Sequence, residues 1–267
     1  MSYLIFALLF GLAIGSFLNV LIYRIPEGKS ISFPASHCPK CHKPLKIWHN
    51  IPLFSWIFLR GRCAFCKTSI SFQYPLVELL SGIIFVAVYL SLDWNLYALL
   101  TSLTLVLLLA LSIIDWRYKA VPDSLNLLAL SLAIMTDPLN TLPNALLFAG
   151  GFTLLRFILS YYLYKKFHYL EVRKKPASWR KLYHPLPFSF EAMGEADIIV
   201  AATIGALLGV QMGLLAIFIS ALLTLPVALV RKSVDIQTPY IPFLSGALFL
   251  VFFFEEKFQS WLEFLYV

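Results

Sequence analysis

Cysteine occurs four times in this sequence, as Cys38-Pro-Lys-Cys41 and Cys63-Ala-Phe-Cys66, with residues 42–62 between the pairs. Each CxxC turn can bring two thiolates onto one cation, and two such turns close a tetrahedral shell. Four thiolates leave no open coordination position, so the expected ion is a structural zinc held by Cys38, Cys41, Cys63 and Cys66. Lys40, Lys43, Arg62 and Lys67 lie close by and offset the negative charge of the thiolates. Two disulfides are the alternative, and a reducing compartment argues against them. His37, His42 and His49 are further possible ligands that the four sulfurs leave unneeded.

Three acids stand out beside the cysteines. Asp115 ends an apolar run in Ile113-Ile114-Asp115-Trp116, Asp123 follows Val121-Pro122, and Asp197 opens another run in Gly194-Glu195-Ala196-Asp197-Ile198. Two carboxylates at one site share a proton because both cannot ionise cheaply. One then activates a water while the other protonates or polarises a carbonyl. Asp115 and Asp197 are the candidate pair. Ordinary structural roles are open to each acid: a boundary anchor for Asp115, a helix N-cap for Asp123 and an N-terminal helix charge for Asp197.

The elements that hold these groups are membrane helices. Of 267 residues 60% are apolar and only 13% charged, against roughly a quarter charged in a soluble domain. The apolar residues fall in runs, which predict an all-α, polytopic membrane bundle of about eight spans. These lie near 2–23, 75–92, 96–114, 124–136, 144–164, 197–210, 212–230 and 241–254. Met1 to Val20 has no Lys or Arg, which disfavours a cleaved secretory signal.

With that count, one side receives segments 24–74, 115–123, 165–196 and 231–240. They hold every one of the 21 Lys and Arg except Arg156 and Lys257. Positive loops stay cytoplasmic, so both termini are expected outside, and Asp115 and Asp197 share one depth at the cytoplasmic edge. The net charge of +7 fits basic loops at anionic lipid head groups rather than nucleic acid. The domains are then a first transmembrane helix (1–24), a cytoplasmic zinc-binding loop (25–74) and a helix bundle (75–267) that includes a basic cytoplasmic loop at 165–193.

The sequence resembles the type IV prepilin leader peptidases, which belong to the GxGD group of membrane aspartic proteases. The likeness begins at Gly15-Ser16-Phe17-Leu18-Asn19-Val20 with Tyr23-Arg24-Ile25-Pro26. It runs through both CxxC pairs, Tyr74-Pro75-Leu76-Val77-Glu78-Leu79-Leu80-Ser81-Gly82 and the Asp115 to Asp123 segment, and reaches Asp197. The resemblance implies a bacterial inner-membrane enzyme with Asp115 and Asp197 catalytic. It cuts the short basic leader from type IV prepilins or type II secretion pseudopilins at the cytoplasmic face. It also implies N-methylation of the new terminus by S-adenosylmethionine, although no GxGxxG-type turn marks a site for that cofactor. Glu78 could receive a substrate amine or pair with a loop arginine.

Three departures accompany the likeness. Ala196 stands at the third position of the GxGD motif, where a positive φ would make alanine costly. The 165–193 loop is longer and more basic than the family pattern. The glycine near the last span, Gly246, is displaced. A GxGD-type protease of other substrates without methyl transfer and a non-enzymatic cation transporter are the other readings. Transport sites lie near the midplane between repeated halves, and no long repeat is visible.

Overall fold

The fold is given by a computed structural model that describes residues 2–174, 193–230 and 238–266. Most of the expected basic loop at 165–193 lies outside these residues. The described chain contains helices α1 (Ser2–Arg24), α2 (Phe54–Phe58), α3 (Gln73–Leu92), α4 (Leu96–Tyr118) and α5 (Asp123–Thr136). They are followed by α6 (Pro138–Lys174), α7 (Glu195–Val230), α8 (Ile241–Phe253) and α9 (Glu255–Tyr266). No strand occurs among the described residues, where two isolated bridges stand in the cysteine loop.

Five helices are long and apolar enough to cross a membrane, namely α1, α3, α4, α6 and α7, and α5 and α8 are shorter apolar helices. Bulky apolar side chains cover the outside as well as the core. Leu139, Leu146, Phe157, Phe218 and Leu229 are more than half exposed, a surface suited to lipid rather than water. The core is built from Leu18, Phe85, Leu108, Ile114, Ile204 and Leu244.

The sixth and seventh expected spans are one helical run, α7, broken at Gly209 with φ 69 and ψ −170. That backbone region is essentially closed to residues with a side chain, so the chain changes direction there without a loop. The fifth span is also longer than expected. Pro143 lies inside α6 rather than before it, at the sixth residue, where its missing N–H forgoes the bond to the Leu139 carbonyl one turn back.

Helices α1 and α3 cross with almost no side chain between them. A Cβ on Gly11 would lie 2.9 Å from the Gly82 Cα, and one on Gly15 would lie 2.7 Å from the Glu78 Cα. Gly11 and Gly15 form a GxxxG pair, the arrangement that lets membrane helices gain van der Waals contact where no hydrophobic effect separates them from lipid.

The termini that matter gather at one end of the bundle. Tyr74 at the start of α3 lies close to Tyr23 of α1 and to Arg117 and Tyr118 of α4. The start of α8 meets the end of α4, since the Ile241 N–H donates to Asp115. The start of α7 meets α5, since Asn126 donates to the Ala196 carbonyl at 3.0 Å. Arg156 on α6, expected inside a span, is paired with Glu195 at the same end, 3.2 Å away.

Candidate active site and metal centre

The sulfurs of Cys38, Cys41, Cys63 and Cys66 lie within 4.8 Å of one another, with 3.8 Å between those of Cys38 and Cys66. Four thiolates each about 2.3 Å from a tetrahedral zinc would stand about 3.8 Å apart. All four cysteines are free, so the disulfide alternative is not realised. The donor set and spacing fit zinc, whose part would be to tie the two turns together.

Backbone bonds build both turns the same way. His42 N–H donates to Cys38 O and Cys38 N–H to Lys43 O; Lys67 N–H donates to Cys63 O and Cys63 N–H to Thr68 O. His42 and Lys67, each just after the second cysteine, both have φ near 57 (56 and 58). Leu45 N–H donates to Ser36 O, and Ile70 N–H to Gly61 O. Each pair of partners in one knuckle maps onto the other under one constant offset in sequence. The Cys41 backbone N–H, foremost, holds the Cys38 thiol down to about 6, while Cys41 is pushed up to about 11, by burial and by the neighbouring sulfurs.

Asp115 closes the last turn of α4 and is buried, 8% exposed. Its Oδ2 accepts the Ile241 N–H at 3.2 Å, and the Tyr240 backbone N–H also reaches its carboxylate. Pro242 stands at the second position of α8, where it needs no hydrogen-bond partner of its own. The free N–H groups and positive dipole end of α8 therefore point at a carboxylate. Tyr240 also anchors its ring, through a 2.9 Å bond between its hydroxyl and Ser220 Oγ.

Asp197 is the third residue of α7. Its carboxylate reaches back to the Gly194 backbone N–H, as the third residue does in a capping box. Ala196 between them is helical and is absent from the positive-φ residues. The alanine therefore carries none of the strain expected if that position had required glycine. Asp197 lies within range of the charge of Asp115, so α4 and α7 carry these two acids to the same end of the bundle. Asp123 is not part of this pair; it stands exposed in the first turn of α5.

Three neighbours were not visible in the sequence as site residues. Asn126 is fully buried, and its amide fixes the α7 start through Ala196. A polar residue amid the apolar run Leu125 to Ala129 was the signal that could have found it. Tyr240 and Ile241 act through backbone N–H groups and left no signal beyond Pro242.

Glu78 sits on α3, 8% exposed. Its Oε2 accepts the Leu53 N–H from the cysteine loop at 2.8 Å, and the Ser16 hydroxyl also bonds to it. No ion pair to it, from a loop arginine or otherwise, occurs among the described residues. Arg24 instead donates to the carbonyls of Ser30, Ile31 and Pro34, which ties down the chain as it leaves α1. No glycine-rich strand–turn–helix exists among the described residues to cradle a nucleotide, so no residue is assigned to S-adenosylmethionine.

Residues 9–92 match the bacterial peptidase A24 N-terminal domain, and residues 102–229 match the type IV leader peptidase family. The prepilin leader peptidase/N-methyltransferase of Neisseria gonorrhoeae is 32% identical over 255 residues, covering 85% of this chain and 81% of that one. The protein of the same name from Myxococcus xanthus is 46% identical over 123 residues, 46% of this chain and 36% of that one. The one from Stutzerimonas stutzeri is 38% identical over 162 residues, 51% and 55% of the two chains. No solved structure matches the chain.

Fold, surface and cysteine cluster define a polytopic membrane protein with a four-cysteine loop at one end that could hold a metal ion. The chain belongs to the type IV prepilin leader peptidase family and is an enzyme, which sets the transporter reading aside. Five apolar helices and this family fit a bacterial inner-membrane protein.

Proposed function

We propose that the protein is an aspartic endopeptidase of the inner membrane. It removes the basic leader from type IV prepilins or type II secretion pseudopilins at the cytoplasmic face. The observation that carries this reading is that Asp197 on α7 lies within range of the charge of Asp115 on α4, at the end of the bundle where the cysteine loop is attached. One carboxylate takes the proton of an attacking water while the other donates to the scissile carbonyl. The backbone N–H groups of Tyr240 and Ile241 hold Asp115, and Gly194 with Asn126 holds Asp197 and its helix. The substrate's apolar helix lies along the spans, and its leader must unwind at this end, because helical carbonyls are already hydrogen-bonded.

The distribution of Lys and Arg supports an orientation with the cysteine loop in the cytoplasm and both termini in the periplasm. Zinc bound by Cys38, Cys41, Cys63 and Cys66 would give the loop its folding energy. The relatives' name supports methyl transfer to the new N-terminus as a second activity.

The test is cleavage of a synthetic precursor by purified protein in detergent, read by mass spectrometry. Loss in both Asp115→Asn and Asp197→Asn, with zinc content unchanged, supports the pair. Cleavage surviving in either variant removes that aspartate from the chemistry. A further methyl mass on the mature product, seen when methyl donor is added, supports the second activity.

A further inference from the structure

Glu78 and Asp115 are the two buried acids at this end of the bundle among the described residues, and the aspartate pair gives Glu78 no task. It lies one helical turn beyond Tyr74, which itself is close to Tyr118 at the end of the Asp115 helix. A buried carboxylate with no cation is expensive at a membrane depth and usually marks a functional site.

Its donors are neutral ones, the Leu53 N–H and the Ser16 hydroxyl, and no ion pair to it occurs among the described residues. Gly15 lets α1 press against α3, and a Cβ there would lie 3.0 Å from Ser81 Oγ and 2.7 Å from the Glu78 Cα. Asn19, one turn further along α1, gives its amide N–H to the Tyr74 carbonyl at 3.1 Å. Asn19 Oδ1 and Ser81 Oγ are both buried without a hydrogen-bond partner. These residues are 3% and 0% exposed. Orphaned buried polar atoms cost free energy, and here two of them stand on the helices whose crossing holds Glu78: Ser81 one turn along α3 from it, and Asn19 one turn along α1 from Gly15.

The donor from the cysteine loop is presented under strain. Leu53 has φ 61 and ψ −53, and the Phe54 N–H bonds to the Pro52 carbonyl at 2.7 Å. This is a γ-turn of the rare, unfavourable hand. Its central N–H is the one that Glu78 accepts. Strain of this kind persists where surroundings enforce it and gathers at ligand clamps.

We propose that Glu78, Asn19 and Ser81 form a receptor for a primary ammonium group carried by the substrate, which displaces the Leu53 N–H on binding. An ammonium offers three N–H donors around one positive charge, matching one carboxylate and two orphaned atoms. A hard divalent cation would want six or more oxygens, which this site does not gather. The inference rests on the substrate class proposed above. That substrate offers two such groups: the α-ammonium freed by hydrolysis, and lysine side chains of the leader.

The experiment measures binding to full-length zinc-loaded protein in detergent. One pair of peptides is a mature N-terminal segment with a free and with an acetylated terminus. A second pair is a leader peptide with free and with acetylated lysines. Wild type should prefer a free-amine peptide by roughly ten- to a hundredfold, and Glu78→Gln should erase that preference; the pair that shows it identifies the source. In wild type, the free-amine peptide should also speed hydrogen exchange at the Leu53 amide, and the acetylated one should not. That second measurement decides the matter if Glu78→Gln fails to fold or loses zinc. A preference that persists in Glu78→Gln overturns the receptor. A wild type that cleaves precursor but shows no preference for amine in either pair overturns it alone. A wild type that neither cleaves nor binds any of the peptides overturns the protease reading with it.

Discussion

The backbone N–H of Ile241 donates to the carboxylate of Asp115 at 3.2 Å. Asp115 is therefore held by the end of another helix rather than by a side chain. A main-chain donor at a helix start cannot rotate away, and the rigid rod behind it fixes its direction. Ile241→Pro deletes this N–H, whereas Ile241→Ala keeps it. Cleavage by the proline variant should fall at least tenfold, in keeping with the loss of one hydrogen bond to a charged group, while alanine stays far closer to wild type. Steady-state cleavage assays on both proteins check the difference.

Ala196 can be judged the same way. Its backbone is helical, so Ala196→Gly restores the familiar motif without relieving any strain. We expect no gain in cleavage, and a small loss of thermal stability from glycine's lower helix propensity. A several-fold gain in rate would mean that the motif needs a backbone shape the free enzyme does not adopt.

The α1–α3 crossing predicts a sharp contrast between glycines. Gly15→Ala places a Cβ against the backbone of Glu78, and Gly150→Ala meets nothing within 4 Å. Overpacking should cost about 1–3 kcal/mol in the first case and nothing in the second. Thermal unfolding in detergent reads both.

Gly209 offers a third stability test. With φ 69 and ψ −170, Gly209→Ala should cost on the order of 1–3 kcal/mol, although a Cβ there would find room, its nearest neighbour being Asn144 Nδ2 at 3.8 Å. A melting temperature equal to wild type would show that α7 can be continuous.

Purified protein should carry about one zinc per chain, and Cys63→Ser should lose it and open the loop to proteolysis. Acidification should also release the metal, because protons compete for the thiolates. Metal analysis across a pH series follows this directly. A loop that stays protease-resistant without metal would assign its stability to packing instead.

The sequence announced what depends on residue type over short distances. Both CxxC pairs were legible because two thiolates three positions apart already make half a metal site. The spans were legible because a bilayer demands long apolar runs, and Asp115 and Asp197 stood out against them. What stayed hidden depends on backbone and on distance along the chain. The donors from Tyr240 and Ile241 carry no side-chain signature. Asn126 matters because α5 happens to meet α7. The break at Gly209 falls at the end of the sixth expected span, but glycine in an apolar run is too common to reveal a missing loop. Gly11 and Gly15 stand four positions apart on α1, but only the structure shows that α3 is the helix they meet.

The matching knuckles of the cysteine loop make it a clamp with two jaws. The bonds around Cys38 reappear around Cys63 with every partner displaced by the same number of residues, because each CxxC turn meets the same geometric demand. The stretch between the knuckles is fastened at both ends by this clamp, and it contains Leu53 and its bond to Glu78. An ion held by the four sulfurs would thus tether, from both sides, the part of the loop that touches the membrane helices.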